Sequence, residues 1–199
     1  MEMHLLGLIG FAVAATSTPG PNNVMVTTSA VHHGVRRTLP HMLGIAVGFS
    51  TMLVLVCAGL AGVLLQSKFL ASVLRYASLA WLLWLAWQIA TAPPPGSAEP
   101  RRPLGFFGAI AFQWVNPKAW MICLGAAGAF MLPDAAVLPQ ALTIGIVFFA
   151  VGIPCILPWA MLGAAAARLL QTPRRLRIFN IAMAALLVLS MVPVVFDPM

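Results

Sequence analysis

Two short polar interruptions in otherwise apolar sequence constrain this chain more than any other feature. The first, Thr18-Pro19-Gly20-Pro21-Asn22-Asn23, lies between the apolar stretches 5–15 and 24–31. The second, Trp114-Val115-Asn116-Pro117-Lys118, interrupts another apolar run in the other half of the chain. Apolar runs of about 20 residues are read as membrane spans. A backbone that leaves its helix in hydrocarbon finds no partner there, so it must be buried in protein or line a water-filled cavity. Both interruptions are therefore expected to be functional.

Composition places those runs in a membrane. Of 199 residues, 61% are hydrophobic and 8% charged, with a mean hydropathy of +0.98, far outside the range of soluble domains. The length accommodates six spans with short connections, so a single domain over residues 1–199 is expected. The net charge of +7 is not a nucleic-acid signature, because the basic residues flank apolar runs and form no stripe with stacking aromatics. Membrane lipid is the expected partner and nucleic acid is not. Cys57, Cys123 and Cys155 fall in separate apolar runs without a C-x-x-C pair, which predicts buried free thiols and no metal site or cofactor. Glu2 gives the first run an acidic flank and apolar sequence resumes beyond the prolines, so cleavage as a signal peptide is not expected.

Apolar runs bounded by turn signals predict spans at about 5–31, 42–65, 69–90, 106–132, 138–162 and 178–195. The first and fourth are broken by the two motifs, and Pro154 and Pro158 are expected to kink the fifth. Gly44 with Gly48, and Gly59 with Gly62, are spaced to let another helix backbone approach. Trp81, Trp84 and Trp87 share one side of the third span, as an aromatic belt or packing ridge would, and Arg75 is expected to snorkel. His32, His33 and His41 read as interfacial polar residues.

A proline-rich linker at 93–103 separates a first repeat, about 4–92, from a second, about 104–196. Three spans per half place the second repeat upside down relative to the first. The expected fold is all-α and polytopic: six transmembrane helices in two inverted three-helix repeats, with the first and fourth helices broken. Broken helices that meet at the midplane of inverted repeats form the substrate sites of secondary transporters. Arg36 and Arg37, Arg101 and Arg102, and Arg168, Arg174, Arg175 and Arg177 occupy alternate connections. The positive-inside rule then puts both termini on the non-cytoplasmic side.

The breaks carry specific chemistry. Pro is disfavoured inside a helix but suits its first position. Pro19 and Pro21 thus end one helix and start another, and Pro117 restarts a second behind an Asn116 N-cap. Each restart leaves free N–H groups and a partial positive charge, which favours an anion. Two such starts brought together would hold a carboxylate, with asparagine oxygens and broken-helix carbonyls receiving an ammonium group. Lys118 is an intramembrane cation with no Asp or Glu in any span to pair with. It either faces an anionic substrate group or binds carbonyls freed by the break. The candidate substrate-binding residues are Gly20, Asn22, Asn23, Gln113, Asn116 and Lys118. No Walker A loop is present, so an ion gradient is the expected energy source.

Thr18-Pro19-Gly20-Pro21-Asn22, the stretch through His33-Gly34-Val35-Arg36, Gly44 to Gly48, and Asn116-Pro117-Lys118 resemble the lysine exporter (LysE/RhtB-type) translocators over essentially the whole chain. Ser29, His33-Gly34, Cys57-Ala58-Gly59 and the stretch from Trp84 to Thr91 look most like the branch that exports cysteine and O-acetylserine. The resemblance implies export of amino acids across the bacterial inner membrane, driven by the proton gradient. Many members carry an acid or amide directly after the glycine corresponding to Gly48, where this chain has Phe49. That departure favours a small neutral zwitterion over a basic substrate. Transport of another small solute or ion, and an intramembrane thiol-redox activity, are the alternatives; a homo-oligomer is left open.

Overall fold

The computed structural model describes residues 5–60, 62, 66–93 and 104–192. Among them are seven α-helices, one π-helical turn and no strand. The helices are α1 (Leu5–Ser17), α2 (Pro21–Leu55), α3 (Lys68–Ala90), α4 (Phe106–Trp114), α5 (Pro117–Phe130), α6 (Val137–Ala167) and α7 (Pro173–Leu189), with the π turn at Val56–Leu60. Both chain ends, most of the proline-rich linker and the end of the expected second span lie outside the described residues.

The helix starts follow local chemistry. α2, α5 and α7 each begin with Pro in the first turn, where its missing N–H costs nothing. Asn116 and Thr172 cap α5 and α7, accepting from the backbone N–H of Lys118 at 3.2 Å and of Arg175 at 3.4 Å. Ser67 caps α3 in the same way through Leu70.

Hydropathy predicts six separate spans, and the structure divides the chain differently. Among the described residues, three segments are long and apolar enough to cross a membrane: Pro21–Leu60, Lys68–Ala90 and Val137–Ala167. α1 is apolar but shorter. The polar loop expected near 32–41 is instead helical apart from Gly34, at φ 75 and ψ 165. Only glycine adopts that conformation cheaply. The chain folds back there, because the hydroxyls of Ser29 and Thr38 are 3.0 Å apart. Nine residues of continuous helix would span about 13.5 Å at about 1.5 Å per residue. α2 is therefore two arms joined by one glycine. The expected kinks at Pro154 and Pro158 do not interrupt α6, which runs through both.

α2 packs most extensively against α6 and also lies on α4; α1 lies on α6, and α3 pairs with α7. Gly44 and Gly48 permit the α2–α4 approach: a Cβ at Gly44 would strike the Phe106 carbonyl, and one at Gly48 would lie 2.7 Å from Ile110 Cα. Gly59 and Gly62 make no such approach to the described residues, and Gly59 takes a φ of 107 in the π turn. One apolar core joins Leu8, Met52, Leu53, Cys123, Ile144 and Phe148; a second joins α3 and α7 to Val24, Met25 and Phe112. His41 is packed inside, 1% exposed, with neither ring nitrogen hydrogen-bonded. Large apolar side chains such as Leu6 (86% exposed) and Phe107 (81%) face outward, an arrangement suited to hydrocarbon rather than water.

Candidate functional site

The two breaks meet. At the first, carbonyls at and just beyond the end of α1 are collected by three side chains. The Thr18 hydroxyl donates to the Ala14 and Ala15 carbonyls, each at 3.0 Å. Asn23, at the start of α2, donates its amide to Thr16 O at 3.1 Å and Thr18 O at 2.8 Å. Lys118, from the other half of the chain, donates its ammonium to Thr18 O at 2.6 Å, Thr18 Oγ1 at 2.9 Å and Pro19 O at 3.2 Å.

The second break is closed from within its own half. Trp120 Nε1 donates to Trp114 O at 2.8 Å, while Ala119 and Trp120 N–H groups donate to Asn116 O. With Asn116 Oδ1 accepting from Lys118 N, the start of α5 has no uncommitted N–H. The expected anion site at this restart is thus filled by the protein's own cap. α2 differs, because its N-cap is Gly20 and no side chain caps it. A Cβ at Gly20 would lie 2.6 Å from Lys118 Cδ and 3.0 Å from its Nζ, so the uncapped helix start and the ammonium adjoin.

Gly20, Asn22, Asn23, Asn116 and Lys118 all line one open-mouthed cavity. Gln113 does not line it. Fully buried, it exchanges two hydrogen bonds with Asn22 (2.9 and 3.1 Å) and donates to Ala109 O at 3.0 Å, holding Asn22 from behind. The amide orientations follow from the network: Asn23 Nδ2 faces two carbonyls and Asn116 Oδ1 faces an N–H. Asn23, 4% exposed, keeps an Oδ1 acceptor with no partner among the described residues; Asn116, 2% exposed, likewise keeps an Nδ2 donor. Apart from Thr16, whose hydroxyl donates to Ala12 O at 2.6 Å, the remaining wall is apolar and comes mainly from α2 and α6, including Phe49 and Phe148 with ring centroids 5.4 Å apart. Sequence reasoning missed Phe148 and Gly152, which look like ordinary span residues; their i, i+4 spacing on α6 is the only signal.

A multi-pass helical membrane protein whose interrupted helices meet around a common cavity has the form of a translocator, and the chain belongs to the LysE type translocator family, whose pattern matches residues 13–195. It is similar to the cysteine/O-acetylserine efflux protein of Klebsiella pneumoniae subsp. pneumoniae, 35% identical over 190 residues covering 94% of each chain. It is also similar to the protein of that name in Escherichia coli strain K12, 31% identical over 180 residues, 89% of this chain and 90% of that one. No solved structure matches. Family membership identifies a transporter and sets aside the thiol-redox reading, and all three cysteines are free thiols.

Proposed function

We propose that the protein exports small neutral amino acids or their close derivatives across the bacterial cytoplasmic membrane, in the manner the names of its relatives state, coupled to the proton gradient. The observation that carries the reading is the cavity at the junction of the two breaks. Its polar end presents the Lys118 ammonium and the Asn116 Nδ2 donor toward a carboxylate, and the Asn23 Oδ1 acceptor toward an ammonium group. A zwitterion satisfies all three.

The reading includes six spans in two inverted repeats, about 4–92 and 104–196 of a single domain. The packing supports it, being nearly unchanged when the halves are exchanged: α2 with α6 and α3 with α7 join equivalent members, and α1 on α6 mirrors α4 on α2. It also places both termini outside the cytoplasm. Exposed Arg36 and Arg37 follow the Gly34 fold, and Arg168, Arg174, Arg175 and Arg177 surround the α6–α7 turn. Those ends adjoin, since Gly163 packs on Thr27 and the Asn180 amide donates to Ala92 O at 3.3 Å.

Two experiments test these readings. Inside-out membrane vesicles carrying the protein are expected to accumulate labelled cysteine or O-acetylserine when energised, and to lose it when a protonophore collapses the gradient. Equal uptake by vesicles lacking the protein would refute export, and uptake insensitive to the protonophore would refute coupling. For orientation, a single cysteine at position 2 in a cysteine-free background is expected to react with an impermeant maleimide in whole cells, and one at position 97 only after lysis. The opposite pattern would invert the topology.

A further inference from the structure

The cavity has a second, apolar end whose composition bears on which side chains it admits. On α2 it is lined by Met42, Ile45, Ala46 and Phe49, and on α6 by Phe148, Gly152 and Ile156. Each set recurs at helical spacing on one face, and both face the same cavity. Ala46 and Gly152 are the smallest residues of their stripes. Ala46 lies between Met42 and Phe49, and Gly152 between Phe148 and Ile156. The flanking residues are buried, from 1 to 7% exposed.

Gly152 is not a close-packing glycine. At Gly44, Gly48 and Gly163 an added Cβ would strike a neighbouring backbone, whereas at Gly152 it would meet nothing within 4 Å. Helix packing therefore does not account for the missing side chain. Because its i−4 and i+4 neighbours both face the cavity, a side chain at this position would extend into the same space. The absent Cβ leaves room where the other stripe has only a methyl group.

We infer that Ala46 and Gly152 form the substrate side-chain pocket, and that Gly152 sets the upper size limit while Phe49 and Phe148 close its end. This rests on the export reading, with the zwitterionic head at the breaks. Among the described residues Lys118 is the only ionisable group in the wall and the head occupies it, so no charged group is left to face the side chain. A charged side chain would be desolvated without a partner, which excludes it. Short neutral side chains fit, and each methylene beyond the limit lowers acceptance by about tenfold or more.

The test is counterflow in proteoliposomes of purified protein, with unlabelled glycine, alanine, cysteine, leucine and phenylalanine competing against a labelled small amino acid. Wild type is expected to rank competitors by shortness of side chain. Gly152→Val should raise the ratio of glycine to cysteine inhibition about tenfold. Phe49→Ala acts in the opposite direction and should admit leucine. Since the two variants push selectivity oppositely, a loss of folding in one does not decide the matter. An unaltered ranking in whichever variant still transports would overturn the pocket assignment while leaving export standing. Absence of flux of any amino acid in the wild type would overturn the export reading and the pocket together.

Discussion

Replacing Lys118 by Met is expected to raise the half-saturating substrate concentration by roughly ten- to 150-fold, the equivalent of one hydrogen bond to a charged group of about 1.5–3 kcal/mol. The ammonium has two claims upon it. In the absence of substrate its donors are taken by Thr18 O, Thr18 Oγ1 and Pro19 O. A carboxylate beside Gly20 would compete with those oxygens for the same charge, so binding exchanges partners and leaves no cation bare. The variant therefore loses on both counts: the substrate forfeits its counter-charge, and the Pro19 carbonyl loses its only described partner. Lys118→Arg keeps the charge but replaces a compact point donor with a planar fork, and is expected to recover only part of the activity. Thr18→Val removes one of the three acceptors and leaves the charge in place, so its effect on affinity should be small. Vesicle flux over a range of concentrations reads all three, with thermal unfolding in detergent to separate binding from folding. Half-saturation in the methionine variant equal to wild type, with the fold intact, would remove Lys118 from the site.

The largest effect on stability is expected at Gly163. A Cβ there would strike the carbonyl of Thr27 and lie 3.1 Å from the Ala30 methyl. The obstacle is backbone, which cannot swing aside as a side-chain tip does, so α6 and the first arm of α2 would have to part. The bond from Thr27 Oγ1 to Trp159 O, 3.2 Å long, spans the same contact and would go with it. Overpacking of this kind costs about 1–3 kcal/mol and occasionally more, against a total stability of roughly 5–15 kcal/mol. Gly163→Val should lower the unfolding temperature in detergent and the yield of monodisperse protein. Gly128→Ala is the control: it lies exposed on α5, its Cβ would meet nothing within 4 Å, and its helix propensity improves. Equal melting of the two variants would mean that the close approach at Thr27 is not what holds these helices together.

Much of this arrangement is legible in the residues. Apolar runs and the scarcity of charge define a helical membrane protein, and prolines inside those runs locate both breaks. That Asn22, Asn23, Asn116 and Lys118 surround one cavity follows from treating two interruptions in different halves as a pair. Other features are hidden for identifiable reasons. His32-His33-Gly34 followed by Arg36-Arg37 has the composition of a loop, yet a single glycine folds the chain back and the flanking residues stay helical. A search for an acidic partner leaves Lys118 unpaired, because its partners are carbonyl oxygens that every residue carries. Gln113 lies one turn from the break, but helical phase turns it toward Asn22 and Ala109 rather than the cavity. The apolar end of the cavity is the least visible, since Phe148 and Gly152 differ in no way from residues that face lipid until the helices are set side by side.

The two breaks are closed unequally, and this bears on how the chain is made. The second is sealed by Asn116 and Trp120, residues that leave the ribosome within a few positions of it. The first is sealed partly by Thr18 and Asn23, but the Pro19 carbonyl waits for Lys118 and Asn22 waits for Gln113. More than ninety residues separate these partners, so the first half must enter the bilayer with its interruption still hydrated. The polar centre is completed only when the second half arrives, which makes the joining of the two halves, rather than the insertion of either, the step that gives the Pro19 carbonyl its partner.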